Sequence, residues 1–144
     1  MQANQSLRVR DVIAELEAWA PPALQESYDN SGLLVGDRNA EVTGVLVSLD
    51  CTEEVVAEAA ACGANLIISH HPIVFKGLKR FTGSTYVERT VMAAIRQGIQ
   101  LYAIHTNLDN VADGVNQRLA SLVGCTAESQ RILRPKASVL MQVV

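Results

Sequence analysis

The fold is decided by residues 64–72, which have the sequence ANLIISHHP. An apolar run of this length that stops at a proline is typical of a buried strand in a parallel sheet. Residues 100–109, QLYAIHTNLD, repeat the pattern, with polar residues gathered at the end. A helix-length amphipathic stretch lies between the two segments, so we expect two neighbouring parallel strands.

Strand and helix patterns alternate along the rest of the chain. Helices are expected at 7–20, from Thr52 to Gly63, from Thr85 to Gly98 with a capping box at 85–88, and at 113–122, and further strands at 33–35, 42–49 and 138–144. This alternation predicts an α/β fold: a mainly parallel sheet with right-handed βαβ crossovers, in three α/β/α layers. Because a natural domain rarely finishes inside an apolar strand, we expect residues 1–144 to be a single α/β domain from the N-terminal part of a longer protein.

Composition indicates a globular protein without a charge field that attracts polyanions. Of the 144 residues, 49% are hydrophobic and 19% are charged, and the net charge is -3. Binding to nucleic acid or to an anionic membrane is therefore not expected. The chain has no signal-peptide pattern and no apolar run near the roughly 20 residues of a membrane span. The three cysteines form no CxxC pair, which favours buried, reduced thiols and a cytoplasmic location.

The three histidines of the chain fall at predicted strand ends. His70 and His71 end one strand, and His105 ends the next one, shortly before Asp109. Ligand sites of open α/β sheets form at the carboxyl ends of strands, so these side chains should converge on one edge. Histidine and carboxylate donors without cysteine suit a divalent ion such as Zn, Mn, Fe, Co or Ni. We therefore predict metal ligation by His70, His71 and Asp109.

The paired histidines leave two arrangements open. Adjacent strand residues point to opposite faces, so His70 and His71 converge only if the chain leaves β geometry, which Pro72 favours. If they diverge, each can hold one of two neighbouring metals, with Asp109 bridging through its two oxygens. His105 can equally orient a ligand from outside the coordination shell, which is the role we favour for it.

Simpler explanations exist for each of these residues. A histidine at a strand end is commonly a hydrogen-bonded polar residue, and Asp109 can be the N-cap of a helix starting near Val111. Residues 75–80, FKGLKR, put three cations near the site; they can hold an anion such as a phosphate or form a solvated loop. No GxSxG motif and no serine or cysteine with a convincing base supports covalent catalysis.

Three motifs resemble those of the Nif-three-like (NGG-one-interacting-factor) family, dinuclear metal centre proteins that are also called GTP cyclohydrolase I type 2 homologues. The motifs are DNSGLLVG at 29–36, SHHP at 69–72 and HTNLD at 105–109. Their order along the chain matches that family, and so does the strand–helix order between them. Together the three motifs are specific, although each one alone is weak.

The resemblance implies a site with two divalent metal ions about 3.5–4 Å apart. His70 would bind one ion, His71 the other, and Asp109 at least one of them. The family completes its site with a histidine and a glutamate from a later segment, whereas this sequence has no histidine after His105. The resemblance also implies self-association into ring-like hexamers whose sites face a central cavity.

The resulting hypothesis is a metal-dependent hydrolase that uses activated water on a purine nucleotide such as GTP. In this hypothesis His105 is the catalytic residue and acts as a proton shuttle. The alternative is a metal-binding regulatory or protein-interaction module without turnover. A third interpretation is purely structural, with the histidines only hydrogen-bonded at the sheet edge, and it predicts no bound metal.

Overall fold

The computed structural model describes residues 6–130, which form a four-stranded sheet with helices packed on both faces. The helices are α1 (Val9–Trp19), α2 (Glu53–Ala61), α3 (Tyr86–Gln97), α4 (Thr106–Asn110) and α5 (Val115–Leu122), and the strands are β1 (Gly32–Val35), β2 (Val45–Ser48), β3 (Leu66–Ser69) and β4 (Gln100–Ala103). Short 3-10 turns occur at Pro22–Leu24 and Ala127–Ser129. The strand expected at 138–144 lies outside the described residues.

The strands lie in the order β1-β4-β3-β2. β2, β3 and β4 are parallel, in a register that pairs Val45 with Leu66 and Leu66 with Gln100. Because α2 and α3 connect these strands, the prediction of a mainly parallel sheet with βαβ crossovers is confirmed. β1 is antiparallel to β4 and makes the sheet mixed, which the local sequence pattern did not indicate.

The alternation of side chains along β3 divides the core into two layers. Leu66 and Ile68 face one side, where they join the cluster that contains the buried residues of α1. Ile67 faces the other side, in the cluster that contains the buried residues of α2 and α3. A strand covered on both faces requires a continuous apolar sequence, which is what β3 has before Ser69. The expected three-layer α/β/α architecture is confirmed.

The helix ends follow the predicted capping residues. The hydroxyl of Thr52 accepts a hydrogen bond from a backbone N–H in the first turn of α2, and that of Thr85 accepts one from Glu88. Gly98 ends α3 with a φ of 66°, in the left-handed region. The capping box at 85–88 is only half formed, because the Glu88 carboxylate accepts its backbone hydrogen bonds from the N–H groups of Thr82 and Ser84.

Residues 100–109 differ from the expectation of a strand with a polar end. The strand stops at Ala103, and the chain then turns into the short helix α4. Hydrogen bonds from the backbone of α4 return to the carbonyl oxygen of His105, which closes this turn. Asp109 therefore lies inside a helix, and its interpretation as the N-cap of a helix starting near Val111 was wrong, since Val111 is extended.

Two further expectations concern the cysteines and membrane spans. Cys51 is buried, and this burial raises the pKa of its thiol to about 11. Cys62 and Cys125 are exposed, so the expectation of buried thiols was wrong for these two, although all three are free. Within residues 6–130, no helix has the length and apolar character needed to cross a bilayer.

Replacing Ile67 by alanine should destabilise the protein by about 2–5 kcal/mol, because it leaves a cavity in the middle of the central strand. Ile67 has no exposed surface, whereas Val123 at the end of α5 is 78% exposed. Val123→Ala should therefore change the free energy of unfolding by less than about 1 kcal/mol. Urea unfolding measures both values, and equal losses would contradict the assignment of the core.

Candidate metal centre

The candidate site forms at the edge of the sheet where the parallel strands end. Asp50 follows β2, His70 and His71 follow β3, and His105 follows β4. The carboxyl ends of parallel strands meet at one edge, so these side chains are brought together. β1 runs in the opposite direction and therefore begins at this edge, which adds the turn that carries Asp29.

The two adjacent histidines converge because the chain leaves β geometry after Ser69, where β3 ends. In a regular strand, consecutive N–H groups point to opposite sides. Here the N–H groups of His70 and His71 both donate to the segment that continues β2, to Ser48 and Leu49, at 3.1 and 3.0 Å. The Ser69 hydroxyl also donates to the carbonyl oxygen of His71 at 2.9 Å. The expected break is confirmed, and the two ring centroids lie 5.1 Å apart.

His105 completes a compact cluster of imidazole rings. Its centroid lies 5.2 Å from that of His70 and 5.5 Å from that of His71. One potential ligand nitrogen from each ring lies within 4.8 Å of the others. Two nitrogens bound to the same zinc ion at about 2.0–2.1 Å are at most about 4.2 Å apart, so the rings need at most a small movement to share an ion. The three histidines can therefore hold a metal ion.

The Nδ1 atoms of His70 and His71 are engaged by acceptors of the protein. His70 donates from Nδ1 to the carbonyl oxygen of Ile104 at 2.9 Å. His71 donates from Nδ1 to a carboxylate oxygen of Asp50 at 2.7 Å. A carbonyl oxygen and an ionised carboxylate can only accept, so the ring proton sits on Nδ1 and the lone pair of Nε2 stays available. This arrangement is characteristic of metal-ligating histidines.

His105 is held in the same way by Asp29, through a hydrogen bond of 2.8 Å from its Nδ1. The second oxygen of Asp29 accepts from the backbone N–H of Thr106 and the hydroxyl of Ser31, each at 3.0 Å, and from the Thr106 hydroxyl. The backbone N–H of Asn30 donates to the first oxygen at 2.7 Å. Asp29 thus fixes the ring of His105 and the start of α4 together.

The hydrogen bonds to Asp29 also determine its ionisation. Its side chain has no exposed surface, and burial by itself would raise the pKa of the carboxyl group. Hydrogen bonds from Thr106, His105 and the N–H of Asn30 outweigh that effect and lower the pKa from its ordinary value of 3.8 to about 2. The carboxylate is therefore ionised at neutral pH and acts as a charged acceptor for His105.

Asp109 lies beside His70, with Oδ1 3.7 Å from Nε2 of that histidine. It is placed there by α4, since its backbone N–H bonds to the carbonyl oxygen of His105 one turn earlier. The structure therefore brings the predicted residues His70, His71, His105 and Asp109 to one site. Their roles as ligands or as catalyst stay predictions.

Asp50 and Asp29, which orient His71 and His105, were not predicted as site residues from the sequence. Asp50 carried a usable signal, since it is a carboxylate placed directly after an expected parallel strand, at the same edge as the histidines. Asp29 opens the DNSGLLVG motif at 29–36, but that motif did not indicate its place at the site, which depends on the antiparallel direction of β1.

Residues 7–141 match the family described as Duf34/NIF3 (NGG1p interacting factor 3). The chain belongs to this family. The resemblance inferred from the three sequence motifs is thereby confirmed, and the Duf34/NIF3 fold agrees with the α/β architecture described above.

Relatives in this family carry the name GTP cyclohydrolase 1 type 2 homolog. The one from Clostridium acetobutylicum is 42% identical over 119 residues, which are 83% of this chain and 44% of that protein. The one from Staphylococcus aureus is 46% identical over 118 residues, which are 82% of this chain and 32% of that protein. The chain thus spans less than half the length of these relatives.

Solved structures of other proteins have a similar fold. A Bacillus cereus protein related to NIF3 superposes with a TM-score of 0.81 at 37% identity, over 86% of this chain and 34% of that one. Reduced HcgD from Methanocaldococcus jannaschii gives a TM-score of 0.75 at 31% identity, over 81% of this chain and 47% of that one.

Replacing Asp29 by asparagine should lower the stability at pH 7 by about 1–3 kcal/mol, because an amide has only one acceptor oxygen for these buried donors. The lowered pKa of about 2 means that the folded state binds this proton more weakly than the unfolded state. The stabilisation by Asp29 is therefore complete above about pH 4 and is lost as the pH falls towards 2. Urea unfolding of metal-free protein between pH 2 and pH 7 measures this.

The matched control is Asp113→Asn, an exposed aspartate whose carboxylate accepts from the indole of Trp19. It should keep the stability and the acid profile of the wild type. The role given to Asp29 would be wrong if Asp29→Asn lost no more stability than this control. It would also be wrong if the stability of Asp29→Asn fell as much as that of the wild type between pH 4 and pH 2.

Proposed function

We propose that the protein holds divalent metal ions at the histidine cluster and belongs to a hydrolase that uses metal-activated water on a purine nucleotide. The observation that carries the proposal is the shared orientation of the three histidines. Each Nδ1 donates to an acceptor of the protein, which leaves Nε2 of the neutral ring available. One potential ligand nitrogen of each ring lies within 4.8 Å of the others. Purely structural histidines do not require this common arrangement.

The proposed ligands are His70, His71 and Asp109, which supply two imidazole nitrogens and a carboxylate. This donor set suits Zn, Mn, Fe, Co or Ni, and Asp109 has two oxygens with which to bridge a pair of ions. The 3.7 Å between Asp109 Oδ1 and His70 Nε2 supports a place for both at the same ion. We propose two ions, in line with the resemblance drawn from the motifs.

A divalent ion bound here would lower the pKa of a water molecule and polarise the substrate. The residues of the chain provide the proton path. Asp29 keeps the proton of His105 on Nδ1, so Nε2 of that histidine can accept a proton from the attacking water. Opening of the imidazole ring of a purine requires attack of water on a ring carbon, which releases such a proton. The names of the relatives support GTP as the first substrate to test.

We place the protein in the cytoplasm, since all three of its cysteines are free thiols. A reducing compartment keeps thiols in this state. The thiol of Cys51 does not enter the proposed site, because Cys51 is buried in the core cluster beneath α2 and α3.

Elemental analysis of the purified protein should find stoichiometric Zn, Mn, Fe, Co or Ni. His70→Ala, His71→Ala and Asp109→Ala should each reduce the bound metal to a small fraction of the wild-type amount, because each removes a proposed ligand. Asp113→Ala is the matched control, an exposed aspartate one turn beyond α4 that should leave metal content unchanged. Absence of metal from the wild type after loading at neutral pH would refute the metal site.

The role of His105 and the turnover are tested with the same proteins. His105→Ala should retain metal and lose hydrolysis of GTP if His105 carries the proton, whereas loss of metal would make it a ligand. Asp50→Ala should weaken metal binding by about 10- to 100-fold, since it removes the acceptor that orients His71. Metal binding without any hydrolysis of GTP by the wild type would favour the regulatory or interaction module over the hydrolase.

We further propose that the chain associates with copies of itself through the outer face of β2. Val45, Val47 and Leu49 are exposed there, in alternating positions along the strand. Their register partners on β3, Leu66 and Ile68, are covered by α1, but α1 does not extend over β2. Within residues 6–130, β2 also has no partner strand on its outer side. An apolar face on an unpaired edge strand is typical of a surface that is covered in an assembly.

The variant Val47→Lys should shift the protein towards the monomer in sedimentation velocity, because a charge cannot be buried in such an interface without a partner. Metal content should be unchanged. Val123→Lys is the matched control, because Val123 is similarly exposed at the end of α5. A wild type that is already monomeric, or an equal effect of the two variants, would exclude β2 as the interface.

A further inference from the structure

An exposed aromatic pair lies beside the histidine cluster. The rings of Tyr28 and Phe75 have centroids 6.4 Å apart, and Phe75 lies 6.3 Å from the ring of His105, edge to face. Tyr28 is 65% exposed and Phe75 is 45% exposed. Large aromatic side chains normally gain stability by burial, so a pair held in solvent at the mouth of a polar site calls for another explanation.

The pair is held in place by the segments that carry it. The side-chain amide of Asn30 donates to the carbonyl oxygen of Val74 at 2.5 Å, which joins the turn of Tyr28 to the loop of Phe75. Val74 and Leu78 pack against the core cluster on both sides of Phe75. The loop is thus anchored by its apolar residues while the ring of Phe75 stays outside. A fixed, exposed ring is suited to contact a ligand, because little conformational entropy is lost on binding.

The geometry of the pair defines where a planar ligand can lie. A ring inserted between two others requires parallel planes about 7 Å apart. Tyr28 and Phe75 are closer than this and tilted by 55°, so they cannot receive a third ring between them. A planar ligand would therefore stack on the exposed side of the pair, with one end directed at the neighbouring His105.

The loop that follows Phe75 adds positive charge next to this surface. Lys76, Lys79 and Arg80 are exposed, and within residues 6–130 none of them has an acidic partner in an ion pair. A ligand that combines a planar ring with negative charge would satisfy both features, since unpaired Lys and Arg side chains bind phosphate oxygens well. A nucleotide has this combination, whereas a neutral aromatic compound would leave the cations unused.

We propose that Tyr28 and Phe75 form a stacking surface for the base of a nucleotide, and that Lys76, Lys79 and Arg80 bind its phosphates. This inference rests on the proposed function, because it assumes that the nucleotide bound here is the substrate of the histidine site. It assigns Tyr28 and Phe75 as specificity-determining residues, which select a planar base independently of the metal ions.

The test is calorimetric titration of the purified full chain with GTP and, separately, with inorganic triphosphate. Phe75→Leu and Tyr28→Leu keep an apolar side chain but remove the ring. Each should weaken GTP binding by about 5- to 100-fold, the range expected for loss of one stacked base. Binding of inorganic triphosphate should change by less than about 2-fold, because it has no base to stack.

Two further variants provide the controls. Phe81→Leu removes another exposed aromatic ring, which is 54% exposed and lines a groove that includes Ile95 and no histidine, and it should leave both titrations unchanged. Lys79→Gln combined with Arg80→Gln should weaken GTP and inorganic triphosphate to the same extent, since both ligands carry the phosphates.

The inference is overturned if wild-type protein binds GTP no more tightly than inorganic triphosphate, if it binds neither, or if Phe75→Leu behaves like Phe81→Leu. Failure of the proposed function is a different result. Selective, Phe75-dependent binding of GTP by a protein without metal or without turnover would support the stacking surface and refute the hydrolase.

Discussion

Asp29 is a carboxylate without exposed surface, and such a group is tolerated in a protein interior only when both of its oxygens accept hydrogen bonds. Its donors are the ring of His105, the backbone and side chain of Thr106, and the turn in front of β1. One buried charge therefore joins the antiparallel edge strand to the end of β4 and to the first turn of α4. The same helix then places Asp109 beside His70. The side chains at this edge of the sheet have a fixed geometry because the buried carboxylate requires these hydrogen bonds.

The three histidines are not constrained equally, although each donates from Nδ1 to an acceptor of the protein. His105 is anchored on a buried carboxylate and His70 on a backbone carbonyl of the neighbouring strand, so both rings are fixed by the fold. His71 is anchored on Asp50. Because Asp50 is exposed, water competes for this hydrogen bond. His71 is thus the ring with the greatest freedom to adjust. This difference fits the proposed site, in which His70 and the proton acceptor His105 are positioned in advance and His71 closes on the ion.

The sequence predicted those parts of the fold in which local pattern and burial agree. β3 is apolar because both of its faces are covered, and Pro72 correctly indicated the break that lets His70 and His71 converge. α4 was missed because no glycine or proline separates it from β4 and its five residues are too few to show a helical period. The four-residue spacing of His105 and Asp109 is a helical spacing and was the available signal. The position of Asp29 could not be predicted, because the direction of β1 is decided by tertiary packing and not by its own sequence.

The site is distributed over segments that are distant in the chain and are brought together only by the sheet. Asp29, Asp50, His71 and His105 have their present geometry only while β1, β2, β3 and β4 are correctly paired. Binding of a metal ion at this edge is therefore linked to folding: an ion that binds the folded chain more tightly than the unfolded chain stabilises the pairing of the strands. The exposed outer face of β2 belongs to the same sheet, so association at that face would favour the same paired state. Metal binding and self-association would then each stabilise the paired sheet against unfolding.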